Sequence, residues 1–171
     1  MNTARKNHRR SIGVAALLAG ASILGLEIGG PAHATPSSGF ASTVTTASGV
    51  PDFALKTLSA THQVRISTKG ASDVHMVSNV VAPGGQSGWH THPGPSIVIV
   101  RTGTATVYDG DDPTCTPHVY EAGSSFFDPG DGHVHLVRNE NSVTLETVAF
   151  QIVPAGSARR IDAPAPGDCG F

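Results

Sequence analysis

Nine histidines occur in the 171 residues, and four of them fall into two His-x-His pairs, His90-Thr91-His92 and His133-Val134-His135. On an extended chain residues i and i+2 point to the same side, so each pair can present two imidazoles to one point. Neutral imidazole nitrogens converging from neighbouring strands form a donor set for a divalent transition metal. A solitary histidine in a β-protein more often makes a hydrogen bond or meets solvent, and His62, His75 and His118 fall into that class. Other chemistries find no residues to stand on. The chain contains neither a nucleophile elbow nor a phosphate loop, which removes hydrolase and kinase readings. Asp109, Asp111 and Asp112 lack the glycine and the distal glutamate of an EF-hand loop and read as a solvated turn.

The elements that must position these histidines are short. From Phe53 onward β-branched residues come in brief runs broken by turn residues, with no sustained period near 3.6. Strands are predicted over 63–67, 74–81, 96–102, 104–108, 118–120, 124–127, 133–137 and 143–153. The run Ile97-Val98-Ile99-Val100 reads as a strand buried on both faces. Eight or nine short strands at regular spacing imply an antiparallel sandwich or barrel. Gln86, Trp89, Phe126 and Phe127 are candidates for a cavity lining, with core packing as the competing role.

The first 34 residues read as an address. Arg5, Lys6, Arg9 and Arg10 precede an apolar run at 12–26, and Ala32-His33-Ala34 supplies a small-x-small cleavage site. That run of 15 residues is shorter than the ~20 needed to cross hydrocarbon, so residues 1–34 are expected to be a signal peptide cut after Ala34, leaving a secreted protein without stable membrane insertion. Arg9-Arg10 leaves the general and twin-arginine routes both open. Cleavage leaves seven basic against twelve acidic residues, a net charge near −5, which excludes nucleic acid and anionic membrane surfaces as partners. Residues 35–52, poor in large apolar side chains, are expected to be a flexible linker, residues 53–154 the domain, and residues 155–171 a Pro- and Gly-rich tail. In an exported chain the two cysteines, Cys115 and Cys169, are expected to pair, pinning that tail to the domain.

Several spacings together resemble the cupin superfamily. Gly84, five residues, His90-x-His92, three residues, Ser96, six residues and Gly103 follow its first motif. Gly123, five residues, Pro129, then His135, three residues and Asn139 follow the second, with one extra residue between Pro129 and Gly132. The resemblance implies an all-β fold, a single cupin-type barrel (double-stranded β-helix, jelly-roll-like), with a divalent transition metal on His90, His92 and His135. Ser96 stands where the family usually has a glutamate ligand, so the implied sphere is three histidines with other positions left to water or substrate. His133 is the reserve, as a fourth ligand or as a hydrogen-bond partner of a metal-bound water. Imidazole donors suit Fe, Mn, Ni, Cu and Zn alike. Gly84, Gly103, Gly123, Pro129 and Asn139 are expected to shape turns. Two functions fit the resemblance: a small metalloenzyme, oxygenase or isomerase, acting on a small organic molecule, and a non-catalytic extracellular module that binds metal or a small ligand. A homodimer joined through edge strands is the assembly it implies.

Overall fold

A computed structural model describes residues 34–171. The expected signal peptide, apart from its last residue Ala34, lies outside the described residues. The chain forms β1 (Ser38–Val50), β2 (Ala54–Leu58), β3 (Gln63–Ser67), β4 (Ser72–Gln86), β5 (His90–Thr91), β6 (Ser96–Thr102), β7 (Thr104–Asp109), β8 (His118–Glu121), β9 (Ser125–Asp128), β10 (His135–Arg138), β11 (Leu145–Pro154) and β12 (Ile161–Asp162). Among the described residues there is no helix, and therefore none long and apolar enough to cross a membrane.

Alternation of apolar and polar residues folds ten of these strands into two facing layers, while β2 and β3 pair only with each other in a separate, largely exposed hairpin. One layer runs β1-β4-β11-β6-β9; the other joins β12, β5, β10, β7 and β8, and β4 links them where Gln86 pairs with Arg138. All pairings are antiparallel. Inward residues of both layers, among them Val77, Val81, Val98, Val107, Phe126 and Leu145, form the main core. Burying such side chains contributes roughly 1.5–3 kcal/mol each. The architecture is the all-β cupin jelly roll that the motif spacings imply.

Two expectations are corrected. Residues 35–52 are no loose linker, because β1 pairs with β4 from Ser38↔Gln86 to Val50↔Ser72. Ladder bonding uses backbone groups, so a Ser/Thr-rich strand can form on a sheet edge with little apolar content of its own. Phe40 packs on the core, and Thr46 Oγ1 bonds His75 Nδ1 at 2.8 Å. The strand β6 is buried on one face only: Val98 and Val100 point inward, while Ile97 and Ile99 are 41% and 50% exposed. The tail is pinned to the domain, as the cysteines led one to expect. Ala163 and Cys169 bury against Trp89, Tyr108 and Leu136 on the outer side of the second layer, and Cys115 and Cys169 form a disulfide with Cα atoms 5.6 Å apart.

Turn chemistry holds the frame around the site. Asn139, fully buried, donates from Nδ2 to the carbonyls of Val81 and Val143 and accepts from Asn141 N. Gly88 sits at φ +73°, and a Cβ there would meet the Thr35 carbonyl at 2.2 Å, so only glycine lets the N-terminal segment pass beside the loop that leads to His90. The extra residue of the second motif is absorbed in a left-handed turn, with Gly130, Asp131 and Gly132 all at positive φ.

Candidate metal centre

The histidine site is assembled by strand register. His135 opens β10 and lies opposite His90 of β5, while His92 follows two residues later on the same side of the chain. All three rings are buried, at 4–5% exposure. Ring centroids are 4.4 Å apart for His90 and His135, 4.9 Å for His90 and His92, and 5.4 Å for His92 and His135. One nitrogen from each lies within 4.8 Å of the other two. Two nitrogens bound to one ion at ~2.1 Å sit at most ~4.2 Å apart, so small side-chain movements bring these within one coordination sphere.

The other ring nitrogens are already spoken for. Nδ1 of His90 meets the Gly88 carbonyl at 2.8 Å, Nδ1 of His92 the Arg159 carbonyl at 2.7 Å, and Nδ1 of His135 the His133 carbonyl at 3.4 Å. A carbonyl only accepts, so each Nδ1 carries the proton and each Nε2 keeps its lone pair for the cavity. Backbone carbonyls behind metal-binding imidazoles orient the ring and raise donor strength. Burial holds all three histidines below the usual imidazole range; the nearby His135 pushes His90 the same way, while Asp128 opposes the effect at His135. Neutral imidazoles are the form a metal ion takes up without displacing protons.

His133 lies on the far side of His135 from the other two, its ring stacked on that of His135 with centroids 5.7 Å apart. Its Nδ1 lies 3.2 Å from Asp128 Oδ1 and its Nε2 3.4 Å from Asp109 Oδ1, and Asp109 Oδ2 in turn lies 3.4 Å from His118 Nε2. His133 therefore groups with Asp128 and His135, not with His90 and His92. Asp128 is buried; its Oδ1 also accepts from Gly130 N, and its Oδ2 has no protein partner among the described residues. Neither His62 nor His75 joins either group.

Ser96 takes the family's glutamate position without supplying a charge. Its buried hydroxyl accepts from Gln151 Nε2 at 2.8 Å, and Gln151 Oε1 accepts from Arg159 Nη1 at 3.2 Å. These three residues, Arg160, Asp128 and the histidine trio line one cavity, with Phe126 on its apolar wall. Phe127 is instead 72% exposed, and Trp89 belongs to the core under the disulfide. Asp128, Gln151 and Arg159 escaped the sequence reading. Asp128 could have been noticed beside the motif residue Pro129, but nothing in the spacing of Gln151 or Arg159 marks them.

Residues 79–167 match the family model described as the cupin domain. None of the curated proteins matches this chain. Among solved structures, a conserved protein with a double-stranded β-helix domain from Klebsiella pneumoniae is 17% identical, over 66% of this chain and 84% of that one, with a TM-score of 0.43. An oxalate oxidase is 26% identical over 47% of this chain, with a TM-score of 0.41, and this chain spans only 45% of its length. A polyketide cyclase from Streptomyces resistomycificus is 17% identical over 54% of this chain and 64% of that one, with a TM-score of 0.44.

Proposed function

This chain belongs to the cupin family, and from that premise we propose that it is an exported protein holding one divalent transition metal on His90, His92 and His135, and that it is a small metalloenzyme, of oxygenase or isomerase type, acting on a small organic molecule. The observation that carries the reading is the arrangement of three buried imidazoles that line one cavity and whose Nδ1 atoms are engaged by backbone carbonyls, which leaves each Nε2 lone pair free. A bound ion supplies Lewis acidity and, where the metal is redox-active, electron-transfer chemistry. The chain's own residues do the rest. Strands β5 and β10 fix the two facing rings, the Arg159 carbonyl orients His92, and the apolar wall around Phe126 limits water. His133 holds Asp128 in place beside His135 in this reading, rather than serving as a fourth ligand.

A non-catalytic binder is favoured by one feature. His133, the acid–base candidate that the sequence offered, is turned toward Asp128 and Asp109 rather than toward His90 and His92. Oxygen uptake and isomer formation on a panel of small thiols, diketones and phenols, with metal content measured alongside, separate the two. Turnover that disappears in His135→Ala supports the enzyme; full metal occupancy with no turnover leaves the binder. The Cys115–Cys169 bond supports export, since such bonds persist in oxidising compartments. The homodimer remains part of the proposal, with β1, β8, β9 and β12, each paired on one side only among the described residues, as edges available to it.

A further inference from the structure

The cavity contains a cation without a counter-ion. Arg160 is satisfied by Asp162, with Nε 2.7 Å from Oδ1. Arg159, half-buried on the same wall, donates one N–H to the neutral Gln151 Oε1 at 3.2 Å, and no carboxylate of the described residues lies within ion-pair distance of it. A guanidinium carries five donors in a planar fork matched to a carboxylate. Leaving one partly desolvated and unpaired is costly, and burial together with the charge of Arg160 already lowers its pKa. The cavity's own acid, Asp128, meets Gly130 N, His133 and, at 3.7 Å, His135 through Oδ1, and neither of its oxygens lies within ion-pair distance of Arg159.

The identity of residue 96 sharpens the contrast. The family position that normally brings a negative charge here holds Ser96, and through Gln151 that serine is tied to Arg159. A negative charge is missing and a positive one is held in place by two buried neutral side chains. The trio and Arg159 are also mechanically joined, because the Arg159 carbonyl accepts from His92 Nδ1. The space open to the centre of a water-sized molecule in this cavity is about 60 Å³, so it takes an occupant larger than a single water. Ala149 and Val98 beside the polar wall accommodate an aliphatic end.

We propose that Arg159, positioned by Gln151 and Ser96, is a carboxylate-binding residue, and that the occupant of this cavity is a small aliphatic carboxylate. The proposal rests on the metal-centre reading in one respect, that this reading makes the occupant the protein's ligand or substrate; the contact with Arg159 belongs to the chain itself.

The test is a calorimetric titration of the full mature chain, metal-free and zinc-loaded, with propionate and with its neutral isostere propionamide. Propionate is expected to bind at least tenfold more tightly than propionamide. Arg159→Gln should lose that preference, and so should Gln151→Glu, whose new carboxylate would occupy the guanidinium. Cooperative thermal unfolding of both variants, and zinc content equal to the parent in Arg159→Gln, would show that neither the fold nor the trio was lost. Equal binding of propionate and propionamide by the parent, or an undiminished preference in a folded Arg159→Gln, overturns the proposal. Failure of the parent to retain zinc would count against the metal centre alone, and the metal-free titration would still decide the role of Arg159.

Discussion

His135 faces His90 across the β5/β10 pair, with ring centroids 4.4 Å apart. Because register sets that apposition, the site is as rigid as the ladder that carries it, and its donors are in place before anything binds. A donor set organised in advance spares a ligand the cost of ordering the side chains.

The same burial makes the metal-free protein acid-sensitive. An unfolded histidine titrates near 6.5, whereas His90, His92 and His135 are all held lower in the folded chain, His135 at about 4. Below pH ~6.5 the unfolded state takes up protons that the folded state refuses, so stability is fully present above that pH and declines as pH falls from it. The expected slope is about 1.4 kcal/mol per pH unit for each histidine that stays neutral. Urea midpoints between pH 8 and pH 4.5 measure this. A flat profile down to pH 4.5 contradicts it.

Ser96→Glu should exchange one property for another. Without metal, a carboxylate at this buried position costs about 2 kcal/mol or more, because Gln151 can satisfy it only in part. With metal, an added carboxylate donor should raise affinity about tenfold or more. Thermal melts with and without Zn²⁺ check both halves; a variant equally stable in both conditions refutes them.

Loss of the disulfide should loosen the second core. The bond closes 54 residues of sequence separation, and a loop of that size confers on the order of 4 kcal/mol in the chain-entropy view. Cys115→Ser with Cys169→Ser is expected to cost about 2–4 kcal/mol. Trp89, the only tryptophan and fully buried beside Cys169, reports the change through its fluorescence.

Asn139→Ala removes two donated hydrogen bonds and one accepted bond at a buried turn. Two carbonyls and an amide lose their partner, an effect of about 2–3 kcal/mol. Denaturant unfolding should show it as a lower midpoint at unchanged slope.

Local pattern made several strands legible. The predicted bounds 63–67 and 96–102 coincide with β3 and β6, and the two His-x-His pairs together with the cupin motif spacings pointed to the trio. Elements that rely on partners were not legible. Strand β1 has almost no apolar pattern and exists through the β4 ladder, and Ala163 of the tail is buried only by its partners, although the disulfide that pins the tail was legible from the two cysteines. In β6, a run of β-branched residues looked the same whether one face or two were covered; Ile97 and Ile99 turned out exposed. Arg159 reaches the cavity from a turn with no motif, so its place beside Gln151 is a tertiary fact.

The central claim is most directly tested by elemental analysis of the purified mature protein beside a His90→Ala, His92→Ala double variant, both checked for cooperative unfolding. One divalent transition metal per chain in the parent and none in the folded variant is the predicted result. Equal metal content in the two would contradict the account.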